Sequence, residues 1–303
     1  MQQPSERNQQ SADPTVRRPA EAARFTEDHQ AALSRLVEKP WRTQAVLNAE
    51  IAKTEEQAYA PVMKMLAQSA DAVAASKALA RLKVQAWSEK VHLVRSGLVK
   101  YHGGDFPTTF RPIGAGINVF GPPYDFEVRQ PTSGAGTYPA SNRHDGAFSV
   151  GLGPGHGGAR WATAGVGMVL QASVAGVAHV APYWPFEYDW WIAGHLLSGH
   201  TRGACKAVVQ DAFSAGVLGP VGERSVEFWN HTSQTQAEGQ TDGVVYSQDI
   251  ETTVALSAGQ VFNVSLLATA LVDDSEGSIF GWSLAGAGLR MRVPFFVVRM
   301  NIP

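Results

Sequence analysis

The sequence predicts an α+β protein in which an N-terminal helical segment precedes an antiparallel β-sandwich of jelly-roll type. Three observations predict it. Beyond residue 100, apolar and polar residues alternate with period two between breaks rich in Gly, Pro and Asp, the pattern of half-buried antiparallel strands. Before Gly97 there is no glycine, and the helix formers Ala, Glu, Gln, Lys, Arg and Leu dominate. The charge balance also changes there: residues 1–100 carry 15 Lys+Arg against 11 Asp+Glu, and the remainder carries 10 against 16. These observations divide the chain into an arm at 1–20, a helical region at 21–98 and a β-sandwich domain at 99–303.

The arm is rich in Gln, Ser, Pro and Arg and has almost no large apolar side chain, so it is expected to be flexible. In the helical region, Leu33 and Leu36 lie one turn apart, and Val46, Leu47 and Ile51 form a second apolar stripe. Pro61 can open a third helix, along which Val62, Met65, Leu66, Ala70 and Val73 recur at helical steps. Such stripes need a partner. Packing within the chain is the plain expectation, and a homo-oligomer built through the 21–98 helices is the alternative.

In the β region, Ile113–Phe120 reads as one strand relieved by glycines, and Gly121-Pro122-Pro123-Tyr124-Asp125 reads as a turn, because paired prolines cannot sit in a central strand. Gln130–Gly146 reads as loop and Phe148–Leu152 as a short strand. Strands follow at Trp161–Leu170, Gly176–Trp191, Ala204–Val209, Val226–Trp229 and Gly243–Ser247. Ile250–Leu256 and Phe262–Ala270 alternate clearly. Asp273-Asp274-Ser275-Glu276-Gly277 breaks the run, and Leu289, Met291 and Val293 share the face opposite Arg290 and Arg292. Strands with no helices between them point to a sandwich rather than an α/β sheet.

Composition excludes several classes. The formal net charge of -2 gives no bulk attraction to nucleic acid, and Arg290, Arg292 and Arg299 are too sparse for such a surface. The single cysteine, Cys205, leaves no internal disulfide and reads as a small buried thiol rather than a nucleophile. No run of about 18 apolar residues spans a membrane. The N-terminus lacks the basic and apolar regions of a secretory signal. The expected location is the cytoplasm, or the exterior by a route other than Sec.

The chemistry-bearing stretch is Tyr183–Trp191. Trp184, Phe186, Tyr188 and Trp190 share one phase, as a sandwich core requires. Tyr183, Glu187, Asp189 and Trp191 take the other phase and are the candidate ligand-facing set: two rings for stacking on a sugar, with two acids between them. Glu187 and Asp189, two residues apart, place their Cα atoms about 6.6 Å apart on one face. A carboxyl pair near that distance can run glycoside hydrolysis, given a third acid such as Asp125 or Glu127. Asp273, Asp274 and Glu276 at a hairpin tip are a candidate calcium site. His144, His195 and His200 do not have the spacing of a zinc site. Gly151–Gly158 lacks the Gly-Lys-Ser/Thr ending of a phosphate loop.

The stretch Glu187-x-Asp189 resembles the Glu-x-Asp-x-x-Glu strand of jelly-roll glucanases of the laminarinase type, but Ile192 stands where that family needs its second glutamate. More broadly, the helical leader, Gly-Pro-Pro-Tyr-Asp-Phe-Glu at 121–127 and the closing Val293-Pro294-Phe295-Phe296-Val297-Val298 resemble a group of uncharacterised bacterial β-sandwich proteins, a resemblance that implies the fold and no activity. The functional expectation is a non-enzymatic binding or self-assembly protein, with no catalytic residue and no required cofactor. A carbohydrate-binding module and a glycoside hydrolase are the alternatives.

Overall fold

A computed structural model describes residues 110–131, 136–153, 158–211, 222–245, 247–274 and 282–302, together with positions 46, 47, 50, 51, 53–55, 57–62, 64, 68, 74 and 78. The 1–20 arm lies outside the described residues. Most of the 21–98 region does too, so the helical segment is not established as a unit. The described residues from 46 to 64 are helical. There Glu55 accepts the Ser198 amide at 2.9 Å, the Ser198 hydroxyl at 2.6 Å and the Gln234 side-chain amide at 3.1 Å.

Among the described residues, fourteen strands form two mostly antiparallel sheets packed as a sandwich. The first sheet holds β1 (Arg111–Ile113), β3 (Phe126–Pro131), β6 (Gly158–Ala172), β8 (Gly199–Asp211), β9 (Gly222–Ser233) and β12 (Val261–Asp274). Its order is β1-β6-β12-β8-β9, with β3 also on β6. The second sheet holds β2 (Gly116–Phe120), β4 (Thr137–Asn142), β5 (Ala147–Leu152), β7 (Gly176–His195), β10 (Ala237–Val245), β11 (Thr252–Leu256), β13 (Trp282–Arg292) and β14 (Phe295–Asn301). Its order is β2-β14-β7-β13-β5-β4. The 20-residue strand β7 is the spine of this sheet. Its first half pairs with β11 and β14, and its second half pairs with β10 and β13.

Side chains from both sheets meet in one core. Trp184 is fully buried there and meets Phe148 edge-on at 6.5 Å. A buried ion pair ties the layers together. Arg160 of β6 contacts the Asp274 carboxylate and the Gly153 carbonyl, while the Ala285 amide of β13 donates to Asp274 at 2.5 Å.

Several boundaries differ from the sequence reading. Ile113–Phe120 is two strands, β1 and β2, one in each sheet, separated around Gly114-Ala115 and re-entered at Gly116 with φ of +87°. The expected loop at 130–146 contains β4. Its residues Tyr138, Ala140 and Asn142 oppose Gly151, Ser149 and Ala147, so polar composition concealed a strand on the rim of the sheet. The strand expected to break at Asp273 runs on through Asp274, because Arg160 neutralises that carboxylate inside the fold. Finally, β12 is buried on both faces. Leu267 and Leu271 face away from the main core and pack with Val169, Val208, Val261, Phe126 and Val128 in a second cluster. The same face also buries the polar Asn263, Ser265 and Thr269, which is why the sequence alternates although both faces are covered.

Among the described residues, no helix is long and apolar enough to cross a membrane.

Candidate functional site

Strand β7 presents aromatic rings on both of its faces, and the faces differ. On the inner face, Trp184 is sealed in the core while Phe186, Tyr188 and Trp190 are half-buried along the edge where β10 and β9 end the two sheets. Their ring faces are taken. Trp190 lies against Gly239 of β10, where an added Cβ would come within 2.6 Å of the indole, and its other contact is the His231 ring at 4.8 Å. Phe186 sits between Gly243 and Phe228, the latter at 4.5 Å, and Tyr188 meets Trp229 at 4.7 Å. These rings close the open edge of the sandwich. The sequence reading put all four rings in the core; the edge-closing role of three of them follows from the small residues Gly239 and Gly243 on β10, three strands on in the chain and paired with β7 in the sheet.

The outer face of β7 carries Tyr183, Glu187, Asp189 and Trp191, as the alternation requires. The structure divides this set. Tyr183 lies on the first half of β7 and stacks on Phe295 of β14 at 5.3 Å with an interplanar angle of 2°. Eight residues along an extended strand put it about 26 Å from Trp191, too far for one sugar subsite. Glu187, Asp189 and Trp191 stay together on the second half.

Register supplies their neighbours, since directly paired residues share a face. Across to β10, Trp191 opposes Glu238, Asp189 opposes Gln240, and Glu187 opposes Asp242. Across to β13, the same three oppose Gly286, Gly288 and Arg290. The rows continue over β5 and β4: Gly288 to Gly151 to Tyr138, and Arg290 to Ser149 to Ala140. The result is a trough whose glycine backbone, at Gly286, Gly288 and Gly151, is buried beneath the side chains around it. Trp191 and Asp189 stand on one side, and Tyr138 stands on the other. Three strand spacings set the walls about 14 Å apart at the backbone. The side chains use the room that the glycines leave. A Cβ at Gly288 would come within 2.7 Å of Asp189 Oδ1, and one at Gly151 would touch the Tyr138 ring at 3.8 Å. Both Trp191 and Tyr138 are half-buried.

One end of the trough is closed by an ion pair, Arg290 Nη1 to Glu187 Oε2 at 3.1 Å. Beside it Ser149 is 4% exposed, and its hydroxyl has no hydrogen-bond partner among the described residues. Thr252 and Ser265 carry buried hydroxyls of the same kind, and an ordered water or another polar group satisfies such a hydroxyl. Ser149, Tyr138, Gln240 and Glu238 were missed in the sequence. Only the register of four strands assembles them, although Gly286-x-Gly288 and Gly151 flagged a place where something approaches backbone closely.

The other sequence candidates fare differently. Asp274 is buried against Arg160 rather than exposed at a hairpin tip, which commits its carboxylate to the guanidinium. Asp273 is half-buried at the end of β12, and Glu276 lies outside the described residues. Among the described residues, no three His, Cys, Asp or Glu side chains converge to hold a metal ion. The acids considered as hydrolytic partners are engaged elsewhere. Asp125 Oδ2 accepts the Val169 amide at 2.8 Å, and burial pushes its carboxyl above the usual range against the pull of that amide, Arg111 and Arg143. Glu127 accepts the Arg143 amide at 3.0 Å and pairs with Arg129. Cys205 is fully buried, and burial pushes its thiol well above the ordinary value, so it stays protonated and inert.

No family model matches the chain, and no curated protein matches it. Among solved structures, it is similar to the module TmCBM61 in complex with β-1,4-galactotriose, at 13% identity and a TM-score of 0.20 over 56% of this chain and 86% of that one. It is similar to the CBM6cm-2 module of Cellvibrio mixtus lichenase 5A in complex with cellotriose, at 15% identity and a TM-score of 0.15 over 55% and 95%. It is also similar to the enzymatically active domain of bacteriophage CBA120 tailspike protein 4, at 11% identity and a TM-score of 0.22 over 56% and 19%. At TM-scores this low the likeness decides neither the fold nor the function. The architecture rests on the strand pairing itself: a two-sheet, mostly antiparallel β-sandwich.

Proposed function

We propose that the protein is a non-enzymatic carbohydrate-binding module that holds a glycan chain in the outer trough of the second sheet. The carrying observation is the row Asp189–Gly288–Gly151–Tyr138, with Trp191 beside it. It sets two half-exposed rings on either side of a row of buried glycines, and an unpartnered hydroxyl, Ser149, lies on the same face. Rings supply apolar stacking for the axial hydrogens of a sugar, and carboxylate, amide and hydroxyl groups supply its directional hydrogen bonds. The acids favour binding over hydrolysis. A hydrolytic pair must flank the scissile bond, whereas Glu187, Asp189 and Asp242 all stand on the Trp191 side, facing Tyr138, Ala140 and Ser149 across the trough.

The test is a glycan array followed by titration calorimetry on the best ligand, for the wild type, Trp191→Ala and Tyr138→Ala. Each variant is expected to weaken binding by about tenfold, the worth of one stacked ring. A ligand whose affinity neither substitution changes, or an array with no ligand, overturns the reading.

A second reading, self-association through the helical region, draws on one observation. Val46, Leu47, Ile51 and Val62 are 62%, 51%, 41% and 40% exposed, so the stripe read as in-chain packing faces outward at these positions. Light scattering of the full chain tests it; a monomer across the micromolar range removes it.

A further inference from the structure

The sandwich has several sheet edges, and they are not guarded alike. An open edge strand offers unpaired amides and carbonyls to any other extended chain, and folded proteins blunt such edges with proline, charge or a covering element. Among the described residues, β1 carries Pro112, β3 carries Pro131 and β4 carries Pro139. β9 carries Glu223 and Glu227, and β10 carries Glu238 and Asp242. β11 has neither proline nor charge, but it lies against Gly222 of β9, where an added Cβ would come within 3.2 Å of the Thr253 carbonyl oxygen. β2, Gly116-Ile117-Asn118-Val119-Phe120, has none of these guards. It pairs with β14 on one side, and no described strand pairs with the other.

The same strand carries the two most exposed large apolar side chains among the described residues, Ile117 at 72% and Val119 at 63%. They oppose Arg299 and Val297 of β14 and so share the outer face of the second sheet. The described contacts of the N-terminal region lie elsewhere. Glu55 accepts from Ser198 and Gln234, and Phe110 packs into the second cluster, on the first sheet. β2 flanks the first half of β7, away from the trough on its second half, so this inference does not rest on the glycan reading.

We propose that β2 pairs antiparallel with β2 of a second copy, about a two-fold axis at Asn118, and joins the second sheets of two protomers into one. The strand is self-complementary in this arrangement. Ile117 faces Val119 of the partner subunit, and Val119 faces Ile117 of the partner subunit, so β-branched side chains meet on one face. The charges allow it. Neither strand holds an ionisable side chain, and Arg299 on β14 stands three strand spacings from its symmetry mate, about 14 Å, beyond the screening length of about 8 Å at physiological salt. The two side chains and the edge backbone offer roughly 400 Å² per copy, about half of what a standard interface buries. The dimer is therefore reversible, with a Kd on the order of tens of micromolar.

The experiment is sedimentation velocity of the full chain from about tenfold below to about tenfold above that Kd, with amide hydrogen exchange of residues 116–120 at both ends of the range. A reversible dimer is expected, with slower exchange at 116–120 at the high end. Val119→Lys changes both cross-strand pairs at once and should weaken the dimer about tenfold. Its position is exposed, so the thermal unfolding curve should not move. Ile117→Lys is the second variant and should act the same way. Leu47→Glu/Ile51→Glu alters the exposed helical stripe and should leave the dimer intact. A monomer throughout the range overturns the proposal and leaves the edge to a foreign strand. A dimer that survives both lysine variants and is lost with the stripe variant belongs to the helical region. A dimer with no added protection at 116–120 uses another surface. Full protection of those amides in the dilute monomer means that the chain covers its own edge. Each of these last three results also overturns the proposal.

Discussion

Trp190 and Trp191 are neighbours in the chain and stand on opposite faces of β7. Trp190 lies against Gly239 and the His231 ring, and with Phe186 and Tyr188 it packs between β10 and β9. Trp191 stands beside a row of glycines, two acids and an amide. The composition of the two faces is less different than their neighbours are. A ring becomes structural when another ring or a backbone covers each of its sides. It becomes a surface for a ligand when the strand next to it offers glycine and the side chains around it are polar. Under the proposed reading one strand does both jobs, because its period-two alternation sorts successive residues onto two faces.

Substitutions can break this comparison, and the largest effect belongs to the core. Trp184→Ala should cost about 3–5 kcal/mol in chemical denaturation, because a fully buried indole leaves a cavity between the sheets. Asp274→Ala should cost a similar amount, about 3–5 kcal/mol, by leaving the buried Arg160 guanidinium without its carboxylate. The two tryptophans should then separate. Trp190→Ala should lose about 2 kcal/mol of stability and keep glycan affinity, since its ring is half-buried against the core edge. Trp191→Ala should lose less than about 1 kcal/mol of stability and about tenfold in affinity. Gly288→Ala sharpens the outer half. The new methyl meets Asp189 Oδ1 at 2.7 Å, the end of a side chain that can move, so the fold should hold while Asp189 swings and binding weakens several-fold.

The fold was legible wherever a strand has one wet face. Thr252–Leu256, with Thr252, Val254 and Leu256 in and Thr253 and Ala255 out, is such a strand, and so is the second half of β7. It was illegible where neighbours override the local pattern. Nothing local says that Gly114-Ala115 sends the chain from one sheet to the other, or that Arg160, 114 residues away, lets β12 continue through Asp274. The site was half legible. Glu187, Asp189 and Trp191 follow from odd-even sorting along one strand. Tyr138, Ser149, Glu238 and Gln240 depend on strand order and register across β10, β7, β13, β5 and β4, and hydrogen-bond partners of that kind are a long-range property. Tyr183 was grouped with Trp191 by phase alone, and phase carries no information on distance along the strand.

A smaller effect is pH dependence. His200 is buried beside Thr201 and shares a hydrogen bond of 2.8 Å between its Nε2 and Asn230 Oδ1, and burial lowers its pKa below the ordinary 6.5. The unfolded chain therefore binds this proton more readily. The stability that comes from keeping His200 neutral is fully present above pH 6.5 and is lost as pH falls through the lowered folded value. His200→Gln should flatten that acid limb in thermal unfolding. The smallest effect should be Glu187→Gln, which breaks an exposed ion pair and should shift stability by no more than about 1 kcal/mol.

The most direct test places Trp190→Ala and Trp191→Ala side by side in titration calorimetry with the glycan that binds the wild type best. Weakened binding for Trp191→Ala alone, with Trp190→Ala less stable yet fully competent, is the expected result. The reverse pattern, affinity lost with Trp190 and kept without Trp191, would move the site to the inner edge between β9 and β10 and contradict the account.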